Sequence, residues 1–181
     1  MDLRRDPQRL SLASYPLSHS VTARLSDLNA GGHLHTVALA SFYDDARDAL
    51  QRRIFGAGGG AGTGAGPASG QDGFALVVAQ SSVHYLGEAT YPGTYLVGVG
   101  VGRVGQTSFT HSAGLFLDGV CLGLCDTVVV HLVDGAPAVI PPPRRAQIED
   151  LAFPSRPGGT LIPGQQGERS ADAAAPAPRP R

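Results

Sequence analysis

Residues 26–47 read SDLNAGGHLHTVALASFYDDAR, and this stretch decides the fold. It opens with an Asp-x-Asn and a Gly-Gly pair, which are typical of a turn, and two histidines follow. From there apolar residues recur at three- and four-residue spacing as far as Ile54, with charged residues on the opposite face. This pattern predicts one amphipathic helix of about five turns. Thr36 is its expected N-cap, and Gly56 is its expected C-terminal stop.

The segments that flank this helix have the composition of β-strands. Residues 15–25 form one of them, and four more follow Phe74 in the order FALVVAQSSVHYLG, TYLVGVGVGRVG, TSFTHSAGLFLDG and VCLGLCDTVVVHLVDG. Asp-Gly pairs at 118–119 and 134–135 indicate tight turns. A strand, a long helix and four consecutive antiparallel strands predict an α+β hotdog fold, in which a curved antiparallel sheet of about five strands wraps a central helix. Glycines 98, 100 and 102 share one strand face. Either the helix or a ligand passes closely over that face or the strand bends there, and close packing of the helix is the favoured interpretation.

Composition divides the 181 residues into one domain and three less regular segments. The single domain is expected over residues 14–151, a usual domain size. Residues 56–73 predict a flexible Gly-rich loop inserted in this domain, where we expect it to be functionally neutral. Residues 1–13 are expected to form an N-terminal tail. Residues 152–181 lack apolar periodicity and predict a disordered C-terminal tail.

The charge and cysteine content exclude several functions. With 14 basic and 15 acidic residues, the net charge of −1 gives no footprint for nucleic acid or for an anionic membrane. No apolar run reaches the ~20 residues of a membrane span, and the first residues lack a signal-peptide core. Cys121 and Cys125 are about 13 Å apart if they share one strand, too far for a mutual disulfide. These features predict a cytoplasmic location. His84, His111 and His131 lack metal-ligand spacing, so no metal site is expected.

Several motifs in a fixed order carry a family resemblance. Gly32-His33-Leu34, His35-Thr36 and Asp44-Asp45-Ala46-Arg47 follow one another without a gap. VGVGRVGQTSFT and DTVVVHLVDGAPAVIPPPRRAQIE come later. On these motifs, residues 15–151 resemble the hotdog-fold acyl-CoA thioesterases of the 4-hydroxybenzoyl-CoA thioesterase type. The resemblance implies a hydrolase of lipid metabolism that cleaves an acyl-CoA to a free acid and coenzyme A. It also implies a homodimer or a dimer of dimers, with coenzyme A only as part of the substrate and no other cofactor.

The departure from this family lies at Asn29. The resemblance implies a catalytic carboxylate there, as the second acid of an Asp-x-Asp, whereas in this chain only Asp27 keeps its acid. An amide cannot act as a general base, but it can orient a water or polarise a carbonyl. Asn29 is therefore either a working residue or a turn former. His33 is expected either as the general base or as a structural histidine of the turn. Asp27 supplies a carboxylate if the turn shifts, and otherwise anchors the loop.

Substrate-binding groups are expected at two places. The backbone amides of Gly32 and His33, next to Gly31 and near the helix N-terminus, are the expected oxyanion donors, with His35 as a further candidate. The resemblance also implies a coenzyme A groove beside a tight connection between two strands. An arginine there suits a phosphate, and the residues of this connection are Arg103, Gly105, Thr107 and Ser108.

Two other functions remain open on the same fold. One is a MaoC-type enoyl-CoA hydratase, whose Asp-x-Asn-Pro-x-His motif is similar to Asp27-x-Asn29. In this chain the proline of that motif is missing, and His33 lies one residue too far from Asp27. The other is a non-catalytic protein that binds acyl-CoA or an acyl carrier, with Asn29 marking the loss of the carboxylate. Tyr85 and Glu88 are expected either to reach the site of a second subunit or to pack at a dimer interface.

Overall fold

A computed structural model describes residues 6–56 and 74–153 of the chain. The expected Gly-rich loop beyond Gly56 and the expected C-terminal tail beyond Phe153 lie outside the described residues. The helices and strands, in chain order, are β1 (Leu17–Thr22), α1 (Thr36–Phe55), β2 (Ala75–Tyr85), β3 (Thr94–Val104), β4 (Ser108–Leu117), β5 (Val120–Val133), β6 (Ala136–Pro137) and α2 (Pro142–Glu149).

The strands form one antiparallel sheet that wraps around α1. Its order is β1-β3-β4-β5-β2, and the two-residue strand β6 pairs with β5. This architecture confirms the predicted hotdog fold. Strand β2 pairs with β5 and not with β3, a pairing that the order of the segments in the sequence does not give. As a result, β2 forms an outer edge of the sheet among the described residues.

Helix α1 has the predicted apolar stripe. Its buried residues are Ala38, Leu39, Phe42, Tyr43, Ala46, Leu50, Gln51 and Ile54. Burial of a large apolar side chain such as Phe42 or Leu50 contributes about 1.5–3 kcal/mol. The helix ends at Gly56, whose φ of 81° explains the glycine. The predicted N-cap is wrong by one residue, because His35 and not Thr36 has the extended backbone and accepts a hydrogen bond from the amide of Ala38.

The two faces of β3 are covered by different parts of the chain. Val97, Val99 and Val101 have no exposed surface and belong to the core that packs on α1. The glycines of β3 point the other way, so the expected packing of the helix over them is wrong. A Cβ atom on Gly98 would lie 2.7 Å from the ring of Tyr15, and one on Gly100 would lie 2.6 Å from Pro16. Gly98 and Gly100 therefore make room for the segment that precedes β1, whereas a Cβ atom on Gly102 would meet Ser112 of β4.

The segment before β1 includes residues of the stretch 1–13, which is expected to be a tail. The side chain of Arg9 is buried, and its Nη1 lies 2.8 Å from Oδ1 of Asp126 on β5. The hydroxyl of Tyr15 donates to the backbone carbonyl of Arg9, and its ring stacks on Phe153 with centroids 4.4 Å apart. Residues from both ends of the described chain thus cover the outer face of the sheet. The domain boundaries at 14 and 151 stay predictions.

Candidate active site at the entrance of helix α1

The turn before α1 is built around the side chain of Asn29. Its Oδ1 accepts hydrogen bonds from the amides of Gly31 at 2.8 Å and of His33 at 3.2 Å. Its backbone N–H donates to the carbonyl of His33, and its own carbonyl accepts from Gly32. Gly32 has a φ of 80°, which a residue with a Cβ rarely adopts. Asn29 therefore closes the turn, which is the structural role that the sequence left open for it.

These contacts also engage the expected oxyanion donors. The amides of Gly31, Gly32 and His33 all donate to atoms of Asn29. The expectation that Gly32 and His33 offer free N–H groups therefore does not describe this conformation. In the part of the chain that the structure describes, the first-turn amides without a hydrogen-bond acceptor are those of Thr36 and Val37.

Two other predicted residues hold the ends of the same turn. The carboxylate of Asp27 accepts from the amide of Arg24 at 2.7 Å, and its carbonyl accepts from the amide of His35 at 2.9 Å. The ring of His35 accepts from the amide of Ala38 through Nδ1 at 2.9 Å. Both side chains are thus occupied by backbone groups, and both fix the angle at which the chain enters α1.

Among the predicted titratable residues of the turn, His33 is the one whose side chain has no hydrogen bond to a backbone group of the described residues. Its Nδ1 is shielded from solvent and has no hydrogen-bond partner among the described residues. Oε2 of Glu88 lies 3.5 Å from this nitrogen, although the two side chains as a whole are partly exposed. The sequence leaves Glu88 either at the site of a second subunit or at a dimer interface, and the structure brings it to His33 of the same chain.

The loop that carries Glu88 is held against the Asn29 turn by backbone hydrogen bonds. The amide of Leu34 donates to the carbonyl of Ala89 at 2.8 Å, and His33 and Thr90 form an isolated antiparallel bridge. The hydroxyl of Tyr95, a fully buried residue, bonds to both the N–H and the carbonyl of Thr90. The juxtaposition of the two loops is therefore set from the core.

A groove of about 290 Å³ runs between α1 and the edge strand β2. Its lining residues are Ala40, Tyr43, Asp44 and Arg47 of α1, Val78, Ser81 and Val83 of β2, and Cys125 of β5. The four helix residues follow an i, i+3, i+4, i+7 pattern, which places them on one stripe. This stripe differs from the apolar stripe predicted from the sequence, and Asp44 is expected on the face opposite that apolar stripe. In the structure Asp44 pairs with Arg47 at 2.8 Å, and the Arg47 side chain is largely buried.

The polar residues at the floor of the groove are weak nucleophiles. Ser81 bonds to Thr127 at 3.1 Å and contacts the thiol of Cys125 at 3.6 Å. Burial raises the pKa of Cys125 above its ordinary value, so the thiol stays protonated at neutral pH. His111 pairs with Thr127 across the strands, and burial, with a smaller effect of the Arg47 cation, lowers its pKa to about 3. His111 is therefore a neutral core residue.

The predicted coenzyme A residues lie at the opposite end of the sheet. Arg103 is exposed at the end of β3, and the following turn joins β3 to β4 as expected. The amide of Gly105 donates to the carbonyl of Ser108, and the carbonyl of Thr107 accepts from His131. Strand β3 has 11 residues, so this turn lies roughly 33 Å along the strand from the Tyr95 end. Within one chain, the two groups of predicted site residues are separate.

The family of the chain follows from a comparison with known protein families. A model described as the thioesterase-like superfamily matches residues 23–148, well over half of the chain. The chain belongs to the thioesterase-like superfamily. The match begins just before the Asn29 turn and ends within α2, so both the turn and the groove of this thioesterase-like chain lie inside it. No curated protein matches significantly.

Solved structures support the same fold. A thioesterase from Thermus thermophilus, solved with coenzyme A and zinc, is 25% identical, and the alignment covers 76% of this chain and 95% of that chain with a TM-score of 0.63. A protein from Pseudomonas aeruginosa is 22% identical, with coverages of 81% and 99% and a TM-score of 0.65. A 1,4-dihydroxy-2-naphthoyl-CoA thioesterase from Synechocystis is 16% identical, with coverages of 74% and 96% and a TM-score of 0.56.

Two features are absent from the described part of the thioesterase-like chain. In residues 6–56 and 74–153, no group of three or more His, Cys, Asp or Glu side chains has a geometry that would hold a metal ion. Within the same ranges, no helix is both long and apolar enough to cross a bilayer.

Proposed function

We propose that this thioesterase-like protein hydrolyses the thioester of an acyl-CoA to a free acid and coenzyme A. The observation that carries the proposal is the placement of His33 relative to the groove. His33 lies just before α1, and Ala40 of α1, seven residues later, lines the groove. Glu88 lies just after β2, and Val83 of β2, five residues earlier, also lines it. In this proposal the acyl group occupies the groove and the thioester lies at the His33 end.

His33 is the proposed general base. A neutral imidazole takes a proton from water near neutral pH, and a side chain in hydrogen-bond reach of the water is the geometric requirement. Asn29, Asp27 and His35 support this residue by fixing the turn, because their polar side-chain atoms are bonded to backbone amides. The proposed oxyanion donors are the unoccupied amides of Thr36 and Val37, which the positive end of the helix dipole favours for a developing anion.

The proposed coenzyme A contact of Arg103 requires a second copy of the chain. Strand β2 is an outer edge with exposed Val77 and Val78, and a long apolar edge favours pairing with another strand. Antiparallel pairing of two β2 strands about a two-fold axis brings the Arg103 turn of the second copy to the end of the sheet where Glu88 lies. We therefore propose a homodimer. Its mass in solution, measured by light scattering, tests this arrangement and separates it from a dimer of dimers.

The test of the function is release of free thiol from a panel of short, long and aromatic acyl-CoAs. Wild-type protein is expected to hydrolyse at least one of them, and His33→Ala is expected to lower kcat by about 100-fold or more, as loss of a general base does. Arg103→Ala is expected to raise KM for the acyl-CoA and to leave KM for the corresponding acyl-pantetheine unchanged, because the latter lacks the nucleotide phosphates. Absence of turnover for the whole panel by folded protein would refute the proposal.

A second candidate is a non-catalytic acyl-CoA-binding protein. The observation in its favour is that Oδ1 of Asn29 is occupied by the amides of Gly31 and His33, while the amide of Gly32 donates to the backbone carbonyl of Asn29. Tight binding of an acyl-CoA in calorimetry, with no thiol release over hours, is the result that this candidate predicts. The hydrolase proposal predicts turnover on the same sample.

A further inference from the structure

We propose that Glu88 is the positioning residue for His33, and that it replaces the carboxylate that position 29 lacks. Its carboxylate accepts the Nδ1–H of His33 and thereby leaves Nε2 without a proton, as the base that faces the substrate water. The inference rests on the proposed thioesterase function, since it assigns a residue to that reaction.

The first support is the environment of the His33 ring. Nδ1 is shielded from solvent, has no hydrogen-bond partner in the described ranges, and lies 3.5 Å from Oε2 of Glu88. A shielded N–H without an acceptor is unfavourable, so a nearby carboxylate decides which nitrogen carries the proton. The distance exceeds that of a good hydrogen bond, and catalytic contacts of this kind commonly shorten when substrate binds.

The second support is that the other candidate groups in the turn are occupied. The carboxylate of Asp27 bonds to the amide of Arg24, and Oδ1 of Asn29 bonds to two amides. In the described residues, neither side chain makes a hydrogen bond to Nδ1 of His33. Among the described acidic residues, the ion-pair contact to His33 is made by Glu88.

The third support is the rigidity of the two backbones that bring this pair together. Leu34 and Ala89 are joined by a hydrogen bond of 2.8 Å, and Thr90 is fixed by the buried hydroxyl of Tyr95. An exposed ion pair by itself contributes little to stability. A loop that is anchored from the core and presents an exposed acid to a histidine therefore indicates a role in orientation rather than in folding.

In the reaction, Nε2 of His33 accepts a proton from water while the water oxygen bonds to the thioester carbonyl carbon. The tetrahedral intermediate then collapses, the bond from carbon to sulfur breaks, and the imidazolium returns the proton to the coenzyme A thiolate. The products are one carboxylic acid and one thiol, and no further reactant is consumed. Glu88 stays ionised throughout and stabilises the transient imidazolium.

The first experiment reads the tautomer of His33 directly and needs no substrate. Two-bond ¹⁵N–¹H NMR spectra of histidine-labelled protein at pH 9 distinguish Nδ1–H from Nε2–H rings, and the His33→Gln variant assigns the signals among the six histidines. We expect Nδ1–H in wild type and a shift towards Nε2–H in Glu88→Ala. Asp45→Ala removes another exposed acid and is the matched control, expected to match wild type. A His33 ring that is Nε2–H in wild type, or one unaffected by Glu88→Ala, overturns the inference.

The second experiment measures kinetics with the acyl-CoA that wild type hydrolyses best. Glu88→Ala is expected to lower kcat by roughly 10- to 100-fold with KM unchanged, because part of the general-base contribution depends on orientation. In a His33→Gln background the same change is expected to have no further effect, since Glu88 acts through His33. Equal kcat values for Glu88→Ala and Asp45→Ala would refute the positioning role and leave the hydrolase proposal intact. Absence of wild-type turnover would refute the function, and the NMR spectra would still decide whether the pair exists.

Discussion

The role of Asn29 gives the sharpest prediction about this site. Its Oδ1 accepts from the amides of Gly31 and His33, and its NH₂ group has no hydrogen bond to another described residue. If the oxygen closes the turn, Asn29→Asp keeps both hydrogen bonds, because a carboxylate oxygen accepts from the same two N–H groups. Asn29→Ala loses both. The two substitutions are therefore expected to differ in stability, although both remove the amide.

The size of this difference follows from the two contacts. A net intramolecular hydrogen bond contributes about 0.5–1.5 kcal/mol. Asn29 is exposed, so water replaces part of the lost bonding, and the longer contact of 3.2 Å to His33 is the weaker of the two. We expect Asn29→Ala to lower the free energy of unfolding by about 1–2 kcal/mol. Asn29→Asp is expected to stay within about 0.5 kcal/mol of wild type.

Urea unfolding followed by circular dichroism measures this difference, and thiol release measures the effect on hydrolysis. Gly32→Ala is a useful companion, because it strains the positive φ of the same turn by roughly 1–2 kcal/mol without removing a hydrogen bond. Asn29→Asp is expected to keep kcat within about threefold of wild type, which corresponds to roughly 0.7 kcal/mol of activation free energy. Equal destabilisation by Asp and Ala would refute the turn-closing role. A tenfold gain for Asn29→Asp would instead show that a carboxylate mechanism still operates at position 29.

Three further changes test the packing of the fold. Because the pKa of His111 falls from 6.5 to about 3 on folding, the unfolded chain binds a proton first as pH falls, and stability is lost between pH 6.5 and 3. His111→Leu is expected to remove this pH dependence, which amounts to about 2 kcal/mol at pH 5. If the slope of the unfolding free energy against pH is the same in the variant as in wild type, the assignment is contradicted. Asp126→Asn leaves the buried Arg9 cation without its counterion and should cost about 2–4 kcal/mol, visible as a lower Tm. Gly100→Ala forces a Cβ against Pro16 and should cost about 1–3 kcal/mol in urea unfolding; a neutral effect would mean that the segment before β1 moves away easily.

The elements of the fold that the sequence predicts well are those with local signals. The apolar stripe of α1 and its stop at Gly56 depend on residues a few positions apart, and so do the Asp-Gly turns at 118–119 and 134–135, where both residues have positive φ. The pairing of β2 with β5 was not predictable in this way, because strand pairing is decided between segments distant in sequence. The glycines of β3 indicated a close approach, but spacing alone does not say which segment makes the approach.

The candidate site shows the same division. The turn at Asn29 and the candidate base His33 follow from a short motif, and the structure places them in one turn. The hydroxyl of Thr36 predicts the N-cap there, because threonine is a common capping residue, whereas in the structure the ring nitrogen of His35 caps the helix one residue earlier. Glu88 lies 55 positions after His33 in the sequence, and its approach depends on a hydrogen bond of the buried Tyr95 to Thr90. No local pattern encodes that contact.

Two physical demands at the entrance of α1 explain why an asparagine is compatible with a working site. The turn needs an acceptor that holds two amides, and the base needs an anion beside its ring. A carboxylate at position 29 would have to bind the amides of Gly31 and His33 and also take part in the reaction. Asn29 meets the first demand without adding charge, and Glu88 approaches the ring of His33 from the neighbouring loop. The loss of the carboxylate at position 29 therefore changes which loop supplies the charge, and the experiments on Glu88 decide whether hydrolysis depends on it.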